Sequence, residues 1–86
     1  MSTEKKVTNA FDAESAVRRS LESQHANVIK SLSFYKSWYS SSGARDFWEV
    51  EGYLELKKGK TKKRSFSYQV DPNSGEIFGY HETPIR

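Results

Sequence analysis

Eighty-six residues make one domain with a thin core, because a chain this short hides only about two thirds of the surface its unfolded form exposes. The absence of cysteine excludes disulfides, thiolate metal sites and cysteine catalysis, and fits a reducing, cytoplasmic setting. The net charge of +3 is a local feature: Lys57, Lys58, Lys60, Lys62, Lys63 and Arg64 supply six of fourteen basic residues, and eleven acids outnumber the other eight.

The opening "MSTEKKVTNAF" lacks the apolar run of a signal peptide, and no stretch approaches the ~18 apolar residues of a membrane span. Residues 1–11 read as a flexible N-terminus. "FDAESAVRRSLESQ" predicts a helix over about 12–25. Asp12 is the expected N-cap, and Phe11 the expected staple on Ala16. Ala13, Ala16, Val17 and Leu21 form the apolar stripe.

From Val28 the period becomes two. In "VIKSLSFYKSWYS", Val28, Lys30, Leu32, Phe34, Lys36 and Trp38 alternate with Ile29, Ser31, Ser33, Tyr35, Ser37 and Tyr39, which predicts a strand. "SSSGARD" is a loop turning at Gly43. "FWEVEGYLELKK" is the clearest strand, with Trp48, Val50, Gly52, Leu54 and Leu56 on one face and Glu49, Glu51, Tyr53 and Glu55 on the other. "RSFSYQV" follows, with Phe66, Tyr68 and Val70 inward. "DPNSG" is a turn in which Pro72 presets φ, Asp71 bonds amides ahead of it and Gly75 takes positive φ. "EIFGYHE" is a short last strand, and residues 83–86 form a tail. One helix and four strands with short connections predict an α+β domain over residues 12–82, an antiparallel meander with the helix on one face.

Residues 12–81 resemble PepSY-type domains, small modules associated with peptidase propeptides. The likeness lies in Trp48 and Val50 on the middle strand, and in Tyr68, Val70, Asp71, Ser74, Gly75, Glu76 and Ile77 across the last hairpin. It implies a cystatin-like helix-on-sheet fold and a non-enzymatic binding role, with peptidase regulation as the associated activity.

Two features bear on function. The run "KKGKTKKR" is either a phosphate-binding hairpin or a solvated turn whose charges protect a strand end. Its phosphate-binding candidates are Lys57, Lys58, Lys60, Lys62, Lys63 and Arg64. The second feature is the sheet face the helix leaves uncovered, where alternation places Tyr35, Tyr39, Tyr53 and either Phe78 or Tyr80. Glu49, Glu51 and Glu55 share that face and repel phosphate, which favours a protein or peptide partner, or a second copy, over nucleic acid. "DPNSGEIFGYHE" is no calcium loop, since Glu76 occupies the position that needs glycine. His25 and His81 are isolated, no nucleophile lies beside a base, and no cofactor or metal site is expected.

Overall fold

A computed structural model describes residues 7–59 and 62–85, without the side chain of Ser42. They form α1 (Ala10–Gln24), β1 (Ile29–Ser42), β2 (Arg45–Leu56), β3 (Lys63–Val70) and β4 (Ile77–Pro84). The strands pair antiparallel in the order β1-β2-β3-β4, the α+β meander that the alternation predicts.

The helix starts one residue before Phe11 because Asn9, and not Asp12, is its N-cap. The Asn9 side chain accepts from the Asp12 amide at 2.8 Å. Asp12 sits instead in the first turn, where the helix dipole favours a carboxylate. Phe11 is 74% exposed, so the expected staple on Ala16 does not form. Val7 explains the early start. It is buried, its amide donates to the Pro72 carbonyl at 3.1 Å, and its carbonyl accepts from Trp48 Nε1 at 3.2 Å. Residues 7–11 therefore belong to the packed structure, and residues 1–6 lie outside the described part. At the other end β4 includes Thr83 and Pro84, and the Ile85 amide donates to the Lys63 carbonyl at 2.9 Å. The expected tail thus extends the sheet through Ile85, while Arg86 lies outside the described residues.

Ala13, Ala16, Val17 and Leu21 of α1 meet Val50, Leu54, Leu56, Phe66, Tyr68 and Val70 in the core. The helix lies over β1, β2 and β3. Phe34, Phe66 and Tyr68 pack edge to face in sequence, at 5.7 and 5.8 Å between centroids. The β3–β4 turn forms as its composition predicts. Asp71 Oδ1 accepts from the amides of Asn73 at 2.7 Å and Ser74 at 3.1 Å, and Gly75 adopts φ 79°.

Three register shifts decide which side chains reach which face. Phe34 pairs with Gly52 and Lys36 with Glu51, so Tyr35 is an extra residue, a β-bulge. Beyond it the alternation of β1 reverses. Ser37 and Tyr39 stand opposite Val50 and Trp48 on the helix face, and Lys36 and Trp38 stand opposite Glu51 and Glu49 on the open face. This corrects the expected placement of Lys36, Trp38 and Tyr39, because unbroken alternation carries the wrong parity past the bulge. A second shift, at Lys30, sets Ile29 against the core and turns Lys30 toward Glu55, again the reverse of simple alternation. The third leaves Phe78 extra, since Gly79 pairs with Gln69 and Ile77 with Val70. Phe78 then meets Phe47 on the open face, and Tyr80 meets Tyr68 on the helix face.

Gly52 accommodates the main bulge. A Cβ there would collide with the Ser33 carbonyl oxygen, and would stand 2.6 Å from Phe66 Cζ and 3.0 Å from Phe34 Cα. Gly52→Ala is expected to cost about 1–3 kcal/mol through overpacking. Each kcal/mol lowers Tm by roughly 4–8 °C in a domain of this size. Thermal denaturation followed by circular dichroism checks this; an unchanged Tm would mean that β1 can move away from Gly52 without cost.

Candidate functional site

The helix occupies one face of the sheet. On the other, the large exposed rings are Tyr35, Trp38, Tyr53 and Phe78, the first three more than half accessible at 56, 54 and 51%. These rings are held in place. Tyr35 and Tyr53 lie 5.0 Å apart across the bulge. The Tyr35 hydroxyl donates to Glu51 at 3.1 Å, and Trp38 Nε1 donates to Glu49 at 3.0 Å. Lys36 sits between, 3.5 Å from Glu51, 3.6 Å from Glu49 and 3.8 Å from the centre of the Trp38 ring. The Arg45 guanidinium lies 3.6 Å over Phe78 and donates to Asp71 at 2.8 Å, tying the β1–β2 hairpin to the β3–β4 turn.

The electrostatics follow from these contacts. The Trp38 indole N–H, helped by Lys36, holds the Glu49 carboxyl below the usual carboxylate value. The hydrogen bond to the Glu51 carboxylate pushes the Tyr35 phenol up. Arg45, with the amides of Ser74 and Asn73, holds the Asp71 carboxyl down. Glu49 and Glu51 are thus both engaged with an aromatic polar atom and with Lys36. What the face offers a ligand is ring surface framed by hydrogen-bonding groups.

Of the residues assigned to this face from sequence, Tyr35 and Tyr53 are there and Tyr39 is not. The Tyr39 ring packs on Trp48 at 5.3 Å, and its hydroxyl donates to Asp46 at 2.9 Å. Trp38 takes its place. Phe78, and not Tyr80, completes the set. The available signal for Trp38 was its adjacency to Tyr39: two neighbouring aromatics on a strand leave either parity open. A shallow depression of about 220 Å³ lies on the same face beside Tyr53, bordered by Ser31, Ser33, Glu55, Lys63 and Ile85.

The fold disperses the basic run. Lys57, Lys58, Lys62 and Lys63 are exposed, and among the described residues none of them forms an ion pair. Gly59 turns the chain at φ 107°. Lys60 lies outside the described residues. Arg64 departs from the expected cluster: it faces the helix side and donates to Glu82 at 3.1 Å. Lys57 borders a depression of about 430 Å³ with Glu22, His25, Ala26, Asn27 and Ile29, at the carbonyl end of the helix. The last helical turn has no basic residue of its own, so Lys57 supplies charge that the dipole there favours.

Glu82 anchors that end of the fold. Its side chain, 7% exposed, accepts from Arg64 and Tyr80 and lies 3.2 Å from His25 Nε2. His81 is on the opposite face, paired with Ser67, so the two histidines do not meet. Among the described residues no group of three His, Asp or Glu side chains is arranged to hold a metal ion, and no helix is long and apolar enough to cross a membrane. No family model, curated protein or solved structure matches the chain.

Burial pushes the Glu82 carboxyl up, but hydrogen bonds from Tyr80, His25 and Arg64 outweigh it and leave the group below the ordinary glutamate value. A depressed folded value means stability that is present above the unfolded pKa and is lost as pH falls through the folded one. Glu82→Gln is therefore expected to be less stable than wild type at neutral pH, with the gap closing as pH falls from neutral into the acid range below the ordinary glutamate value. Urea midpoints measured across that range check this, and a constant gap would show that the charge of Glu82 is not what stabilises.

Proposed function

We propose that the protein is a non-catalytic binding module that takes a protein or peptide partner on its open sheet face. The observation that carries this is the set of exposed rings of Tyr35, Trp38 and Tyr53 on a face the helix cannot reach, held by Glu49, Glu51 and Lys36. Rings fixed before binding lose little freedom on contact, and aromatic residues dominate binding energy at protein interfaces. The likeness to PepSY-type domains supports a binding role with peptidase regulation as its setting, and the cystatin-like description of the fold is proposed on the same ground. A cytoplasmic location is proposed on the lack of cysteine.

Panning a displayed library of random peptides against the protein tests the reading. Enriched peptides are expected to shift the amide NMR signals of residues 35, 38 and 53. Trp38→Ala, or Tyr35→Ser with Tyr53→Ser, is expected to weaken them at least ~tenfold without unfolding the domain. Enriched peptides that map elsewhere, or no enrichment at all, would overturn it.

A second reading rests on Lys57, Lys58, Lys62 and Lys63, exposed and without ion pairs among the described residues. If the hairpin binds nucleic acid, the log–log dependence of affinity on salt is expected to have a slope of roughly −3 to −5. Replacing Lys58, Lys62 and Lys63 by Gln would flatten it. Absence of binding to DNA or RNA at about 50 mM salt would leave the hairpin as a solvated turn.

A further inference from the structure

The two edges of the sheet differ. β4 has eight residues, a bulge at Phe78, a proline at its end, and Glu82 turned inward to His25 and Arg64. These are features that keep an edge from pairing. β1 has fourteen residues, whereas a typical strand has about 5–6. Among the described residues no strand lies on its outer side. It contains no proline. Its two lysines, the usual guards of an exposed edge, are turned back onto β2: Lys30 to Glu55 at 3.7 Å, and Lys36 to Glu49 and Glu51. Both bulges lie in its first half, at Lys30 and Tyr35, and the stretch from Lys36 to Ser42 pairs with β2 without interruption.

We infer that residues 36–42 form an edge-to-edge interface with a second copy of this chain, β1 pairing antiparallel with β1 of the partner about a two-fold axis at Tyr39. Directly opposed residues in an antiparallel pair share a face, so in this regular stretch the axis must pass through a residue and not between two. Only Tyr39 as the centre lets all seven residues pair. That register sets Trp38 opposite Ser40, Ser37 opposite Ser41 and Lys36 opposite Ser42. No like charges are opposed, and each Trp38 meets a small residue. The partner is thus the stretch itself, read in the opposite direction. The product is one eight-stranded sheet with both helices on the same side. Its other side joins two open faces, so each Trp38 lies next to the junction.

The proposal stands independently of the peptide-binding reading: an isolated monomer can still bind peptides on its face, and a dimer need not. Sedimentation velocity across a concentration series is expected to show reversible dimerisation, weakened at least ~tenfold by Ser40→Lys, which restores an edge lysine. Because the chain has no cysteine, register can be tested directly. Ser37→Cys and Ser41→Cys, each alone, hold their sulfurs on β-carbons whose Cα atoms lie ~14 Å apart across the axis, too far for a disulfide. Mixed together they stand opposite one another at about 5 Å and are expected to cross-link. A protein monomeric at every concentration overturns the proposal. So does a dimer that Tyr35→Ser with Tyr53→Ser abolishes while Ser40→Lys does not, since that would be association through the faces.

Discussion

The close approach of β1 to Gly52 is the constraint on which the two faces depend. No side chain separates the strands there, so the Ser33 carbonyl and Phe34 Cα lean over the Gly52 backbone and Phe66 fills the space above it. Immediately beyond, the chain inserts Tyr35 and resumes pairing at Lys36. One inserted residue reverses the facing of everything after it. Trp38 is thereby moved out of the helix layer, and Tyr39 into contact with Trp48. The bulge also lets Tyr35 and Lys36 share the open face, which is why one ammonium can lie against Glu49, Glu51 and the Trp38 ring together.

The helix, the four strands and the Asp71–Gly75 turn were legible in the sequence because each is set by local chemistry: a 3.6-residue apolar stripe, a two-residue alternation, and side chains that bond their own backbone. The bulges were not. Trp38 and Tyr39 are adjacent and both aromatic, so the pattern reads equally well in either parity, whereas Phe78 and Tyr80, two residues apart, share one parity until the bulge at Phe78 sets them on opposite faces. The N-cap is hidden for a different reason. Asn9 and Asp12 are equally good caps, and what selects Asn9 is Val7, docked between Pro72 and Trp48. Those contacts span more than forty residues of chain and leave no local mark. Of the candidate site, Tyr35 and Tyr53 could be read because they lie on or before the bulge or on the regular β2.

The basic run shows how alternation divides a charge cluster. Lys63 and Arg64 are neighbours in sequence and opposite in facing, so Arg64 reaches Glu82 while Lys63 borders the depression beside Tyr53. Lys57 borders the depression at the end of the helix. The cluster that looks uniform in sequence therefore serves three places. Among the described residues of the run, the exposed charge left for a partner is at Lys58 and Lys62, with Lys63 joining it to the aromatic face.

The division between the faces also explains why β2 carries Glu49 and Glu51 on its open side. On the helix side, packing fixes Phe34 and Phe66, and packing with a hydrogen bond from Gln24 fixes Tyr68. The open side has no packed layer, so its rings need another restraint. Glu51 and Glu49 provide it by accepting from Tyr35 and Trp38, and Lys36 bridges the two carboxylates and offsets part of their charge. Each such exposed contact contributes little to folding. Their combined effect is on the freedom of the rings: a side chain already held in one rotamer gives up less entropy when a partner covers it. The polar residues of this face are better understood as supports for a binding surface than as its specificity code, because their hydrogen-bonding groups are largely engaged before any partner arrives.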